Sequence, residues 1–170
     1  MRIRANPMKL LSKVVFAAYL LMLLWLVLFK FSYNLGSVLA DYQTRSLNLI
    51  PFAGSSNGGF REMIDNVVVF IPLGLFLGIN FKHTNFWRKL ATVVIFSLAV
   101  EVTQFIFAIG VTDITDVITN TFGGLVGLTL YDVSKKYVDG DKLEKFIVVV
   151  GAILLTVLIL LRVFVFKVRY

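Results

Sequence analysis

Long apolar runs broken by short polar, mostly basic stretches set the pattern of this chain. A helix needs about 20 mostly apolar residues to cross ~30 Å of hydrocarbon at ~1.5 Å per residue. Five segments meet that demand: 14–33, 63–81, 90–110, 114–131 and 146–166. Runs this continuous predict helices, because a membrane strand alternates apolar and polar positions. Lys30 at the end of the first can snorkel outward, Pro72 should kink the second, and Arg162 lies in the last turns of the fifth. The first run exceeds the length of a signal-peptide core, and no small-residue cleavage site follows it. The expected fold is an all-α, polytopic transmembrane bundle of about five spans, a single membrane domain over residues 1–170.

The basic residues predict the orientation. Arg2, Arg4, Lys9 and Lys13 precede the first span; Lys82, Arg88 and Lys89 separate the second from the third; Lys135, Lys136, Lys142 and Lys145 separate the fourth from the fifth. These three groups fall on one side and hold eleven of the 17 basic residues. Short cytoplasmic loops carry such an excess, so the N-terminus is expected inside and the C-terminus outside. Arg162, Lys167 and Arg169 run against that bias. One long outer loop, Asn34 to Arg61, carries an apolar patch at Leu49–Phe52, suited to the interface, and then a glycine- and serine-rich stretch.

Composition supports lipid as the solvent. Of 170 residues, 58% are hydrophobic and 16% charged, against about 45–50% and 25% in soluble domains. With no cysteine and one histidine, His83, thiol chemistry, disulfides and a histidine-rich metal site are excluded. The net charge of +7 sits in loops between apolar runs, which argues for a membrane face and against nucleic acid.

Polar residues inside hydrocarbon mark function by default. Glu101 lies ~16 Å along the third segment at ~1.5 Å per residue, with Gln104 on the same face. Asp113, Asp116 and Asn120 share one face of the fourth segment, and Asp65 and Asn66 enter at the outer end of the second. If the third and fourth segments join by a tight turn near Gly110–Thr112, Gln104 and Asn120 come to similar depth. These seven residues then form a binding cavity open to the outside, with Glu101 at its floor, protonated or paired and bonded to Gln104. Structural roles compete. Asp113 suits an N-cap and Asp116 a first helical turn, Asn66 and Asn120 suit interhelical bonds, and Gly123 with Gly127 suits close helix approach.

The same residues carry a resemblance. Asn48-Leu-Ile-Pro-Phe52, Asp65-Asn66, Phe70-Ile-Pro-Leu-Gly74, Glu101-Val-Thr-Gln104, Asp113-Ile-Thr-Asp116 and Asn120-Thr-Phe-Gly-Gly124 with Gly127 follow one another across about residues 45–130. In that order they resemble the VanZ-like family of bacterial membrane proteins. The resemblance implies a multi-pass protein of the bacterial plasma membrane. It also implies, from the family's namesake, low-level resistance to teicoplanin, a lipoglycopeptide aimed at cell-wall precursors. The label phosphotransbutyrylase, carried by some members, finds no cysteine and no phosphate-cradling glycine loop here.

Three functions are open on this reading. The first is a non-enzymatic envelope protein that needs no cofactor and meets membrane lipids together with a lipid-linked cell-wall precursor or a lipoglycopeptide. The second is an intramembrane enzyme with Glu101, Asp113 and Asp116 as acid–base or Mg²⁺- or Ca²⁺-binding carboxylates. The third is a transport or assembly subunit, which with five helices would have to form a homo-oligomer.

Overall fold

The computed structural model describes residues 7–28, 46–53, 59–108 and 111–168. Arg2, Arg4, Lys30, Gly110, Arg169 and the loop positions 34–45 and 54–58 lie outside the described residues. Five helices run through the rest: α1 Pro7–Leu28, α2 Phe60–Asn80, α3 Phe86–Phe107, α4 Ile114–Tyr137 and α5 Gly140–Val168. Two three-residue strands, β1 Ser46–Asn48 and β2 Val111–Asp113, pair in parallel.

Local chemistry sets the ends. Pro7 opens α1, where its missing N–H costs nothing. The Asn85 side chain caps α3 by accepting from the Arg88 N–H at 2.8 Å. Ala108 closes α3 in the left-handed region, φ 53°, donating to the Gln104 and Phe105 carbonyls. Asp113 caps α4 through the Thr115 N–H at 2.8 Å, and Lys135 and Lys136 face the negative end of that helix's dipole. Asp139 accepts from the Asp141 and Lys142 N–H groups and starts α5. Pro72 lies inside α2 without ending it.

α2 and α4 form the centre of the bundle, and glycines bring their backbones together. A Cβ on Gly127 would stand 2.0 Å from the Ile71 carbonyl oxygen, one on Gly123 2.3 Å from that of Val67, and one on Gly74 2.3 Å from that of Gly124. Around this seam, Leu23, Val27, Phe70, Leu73, Val93, Val100 and Leu128 make one buried cluster. Val15, Phe76, Tyr131, Ile147 and Val148 make a second one, nearer the basic end.

α1, α2, α3 and the Gly140–Leu161 part of α5 are long and apolar enough to cross a membrane. Their outward side chains match that solvent: Leu21 is 72% exposed, Ile95 66% and Leu160 62%. α4, expected as a span over 114–131, is the exception: it packs one face against α2 and α3 and leaves Phe122, Leu130 and Val133 exposed on another. It carries Asp116, Asn120, Asp132 and three glycines, and its buried face includes Asp116, Thr119 and Asn120. The protein is an all-α integral membrane protein. The observed helices begin or end several residues from the predicted segments, most visibly α1, which starts at Pro7, α4, which runs on to Tyr137, and α5, which starts at Gly140.

Candidate functional site

The polar residues cluster where α4 begins. After Phe107 the chain turns back, and β2 descends beside α3 instead of staying at its tip. The Thr112 hydroxyl donates to the Glu101 carbonyl at 3.3 Å, and the Asp113 N–H donates to Glu101 Oε2 at 3.0 Å. Asp113 therefore lies level with Glu101, six residues or ~9 Å below the end of α3. Non-helical backbone at such depth requires protein partners for its N–H and C=O groups. The β1–β2 pairing supplies them, aligning Ser46 with Val111, Leu47 with Thr112 and Asn48 with Asp113.

The Asn-Leu-Ile-Pro-Phe stretch explains itself in this setting. Asn48 Nδ2 donates to Asp113 Oδ2 at 2.9 Å, while Asn48 Oδ1 accepts from the Ile50 N–H at 3.1 Å. Pro51 then holds the second position of a turn closed by Ala53 N–H to the Ile50 carbonyl at 3.3 Å. Phe52 takes the third position at φ 63°, and its N–H reaches Thr115 Oγ1 at 3.0 Å. One short segment thus clamps the first turn of α4.

The predicted site residues divide. Around the start of α4, Asp113 meets Glu101 through its backbone N–H, and Asp116 bonds separately to Asn66, whose Nδ2 donates to Asp116 Oδ1 at 2.9 Å. Glu101, Asn66 and Asp116 are buried. Gln104 belongs to a different contact. Its Nε2 donates to the Val27 and Leu28 carbonyls at 3.1 and 3.5 Å and ties α3 to α1, so the expected role as hydrogen-bond partner of Glu101 is corrected to that tie. Asn120 lies deeper, with Nδ2 donating to Ser97 Oγ at 2.9 Å. Ser97 precedes Gln104 by seven residues, so Gln104 and Asn120 do not share a level; the re-entrant β2 starts α4 below the α3 tip. Gln104 Oε1 and Asn120 Oδ1 are buried without a hydrogen-bond partner among the described residues. Asp65 stays at the rim, 3.9 Å from Arg61, with its side chain 40% exposed.

Sequence reasoning missed Asn48, Ser97, Thr112 and Thr115 as parts of this network. Ser97 was within reach of periodicity, because 97, 101 and 104 share one helix face. Asn48 and Thr115 become polar partners only through a strand pairing that spans more than 60 residues of sequence.

A groove of about 270 Å³ runs beside the cluster between β1, α3 and α4. Its walls are apolar, from Leu47, Leu49, Leu98, Val102 and Phe105, and Glu101 and Asp113 lie behind them, with Glu101 buried. Leu49 in its wall is 67% exposed, and the adjacent Ile50 69%. Among the described residues no three His, Cys, Asp or Glu side chains gather as metal ligands. Asp113 and Asp116 direct oxygens to Asn48, the Thr115 N–H and Asn66, which is the chemistry of a hydrogen-bonded scaffold.

The basic segments collect at the opposite end. Ser12 of α1 bonds Asn80 of α2 at 3.1 Å, and Lys82, in the α2–α3 turn, ion-pairs with Glu144 of α5.

The sequence model of the VanZ/LLP1 family matches residues 16–135, a stretch containing the re-entrant ladder and every residue of the cluster. The chain belongs to the VanZ/LLP1 family. Over 154 residues it is 54% identical to Protein VanZ of Enterococcus faecium, covering 91% of this chain and 94% of that protein. That similarity is longer than the family segment and takes in most of the chain. No solved structure matches the chain.

Proposed function

We propose that this VanZ-family protein lowers susceptibility to teicoplanin-type lipoglycopeptides without catalysing a covalent step. On this reading it engages a lipid-linked ligand from the outer face. The observation that carries it is the placement of an apolar groove of about 270 Å³ directly over the contact that buried Glu101 makes with Asp113. Such a groove offers an apolar wall for an acyl chain, backed by that Glu101–Asp113 contact. The N-terminus is inside and the C-terminus outside. The gathering of Ser12, Asn80, Lys82 and Glu144 at one end of the bundle supports this orientation, because it brings the three basic segments to a common face.

The test is teicoplanin susceptibility in the protein's own host, with the gene deleted, restored, and restored as Glu101→Gln or Glu101→Leu. Glu101→Gln preserves size and can still accept the Asp113 N–H, but it cannot ionise. It should reach wild-type abundance in the membrane and lose the resistance, whereas Glu101→Leu should also lower abundance by breaking the tie to β2. Equal susceptibility with and without the gene would remove the assignment, and full resistance from Glu101→Gln would remove the carboxylate from it.

A further inference from the structure

At the end of the bundle opposite the carboxylates, two cavities of about 250 and 390 Å³ lie side by side. Both are lined by Lys9, Ser12, Lys82 and Glu144, so they form one cleft between α1, the α2–α3 turn and the start of α5. Lys13 borders one cavity; Asp141 and Lys145 border the other. Four lysines thus face two carboxylates, leaving the cleft net positive.

The lysines do not neutralise one another's surroundings. Lys82 is committed to Glu144, and that hydrogen bond holds its ammonium pKa above the ordinary lysine value. Lys9, Lys13 and Lys145 make no ion pair among the described residues. Lys9 and Lys13 are four residues apart on one face of α1, flanking Ser12, which is only 4% exposed and bonded to Asn80. Cations in the first turns of a helix oppose its dipole, so this placement does not serve α1 itself. A positive-inside bias accounts for the sign of these residues, but not for their convergence on one polar-floored cleft. Immediately outside it, Leu10 and Val14 of α1 are 59% and 56% exposed and give an apolar face along which acyl chains can lie.

We infer that this cleft binds the phosphate group of an anionic phospholipid from the cytoplasmic leaflet. Lys9 and Lys13 contact the phosphate, and the Lys82–Glu144 pair forms the far wall. The choice of leaflet rests on the orientation proposed above; the cleft itself is independent of the function proposed for the carboxylate end.

Native mass spectrometry of the purified full chain with defined lipids tests it. The wild type should retain phosphatidylglycerol over phosphatidylcholine. Lys9→Gln/Lys13→Gln should retain about thirtyfold less phosphatidylglycerol, on the scale that two juxtamembrane lysines contribute at an anionic surface. Lys9→Arg/Lys13→Arg, which keeps the charge, should retain it, as should Lys136→Gln/Lys142→Gln, which removes two charges from the same end outside the cleft. Four results would overturn the inference: equal retention of the two lipids, undiminished binding by the Lys9/Lys13 glutamine pair, an equal loss in the Lys136/Lys142 pair, or displacement of the lipid by millimolar inorganic phosphate. The last would make the cleft a site for soluble phosphate.

Discussion

Gly127→Ala is the smallest change that should separate the two central helices. Its new methyl would lie 2.0 Å from the Ile71 carbonyl oxygen and 3.0 Å from the Gly74 Cα. A carbon and a carbonyl oxygen ordinarily meet no closer than ~3.3 Å. The shortfall, roughly 1.3 Å, falls on backbone that cannot rotate away, so α2 and α4 must move apart. Overpacking of this kind costs about 1–3 kcal/mol. The same helix pair is bridged by Asn66 Nδ2 and Asp116 Oδ1 at 2.9 Å, and stretching that bond adds about 0.6 kcal/mol, the average for interhelical hydrogen bonds in membranes. A total loss of about 1.5–3.5 kcal/mol is therefore expected. Reversible unfolding in mixed micelles, followed by circular dichroism, measures it. Gly140→Ala is the matched control, because its methyl meets nothing within 4 Å. It should be neutral or stabilising by up to about 1 kcal/mol, the helix propensity difference between the two residues. Wild-type unfolding of Gly127→Ala would refute the reasoning and show that the seam can open at no cost.

Asn66→Ala leaves buried Asp116 with one donor fewer and should cost about 1–2 kcal/mol in the same unfolding assay; an unchanged midpoint would mean the bond contributes nothing net. Lys82→Gln should cost less than about 1 kcal/mol, because the Lys82 side chain is 43% exposed. The Lys82 pKa is raised above 10.5 in the folded state, chiefly by the hydrogen bond to Glu144. That contribution is thus fully present below pH 10.5 and is lost as pH climbs through the higher folded value. Wild type and Lys82→Gln should converge in stability at strongly alkaline pH, and a constant gap from about pH 9 to 12 would contradict the linkage. For topology, a membrane-impermeant thiol reagent added outside cells should label Ser56→Cys and miss Gly140→Cys. The chain has no native cysteine to confuse the result, and the reverse labelling would invert the proposed orientation. Ser56 itself lies outside the described residues.

The apolar runs determined a great deal unaided. Backbone groups in lipid must be satisfied within their own segment, so long uncharged stretches such as those containing Leu21, Ile95 and Leu160 had to become helices facing lipid. The count of helices, the collection of basic loops at one end and the importance of Gly123 and Gly127 all followed from spacing along single segments. Glu101, Asp113, Asp116 and Asn66 stood out from the apolar runs around them, because charges in hydrocarbon need partners.

Depth and partnership belonged to the tertiary structure. Periodicity assumes that one helix starts where the last one stops, and that assumption put Gln104 level with Asn120. The descent of β2 along α3, pinned by Asp113 N–H to Glu101 Oε2 and by β1, shifts α4 inward. That shift gives Asn120 to Ser97 and leaves Gln104 to the carbonyls of α1. The parallel pairing of Ser46–Asn48 with Val111–Asp113 involves three residues on each side, too few to leave a period in the sequence. β2 is held against α3 through Thr112 and Asp113, at a level where an unpaired backbone group would cost several kcal/mol. A local pattern cannot encode that cost, because it exists only once the helices have packed.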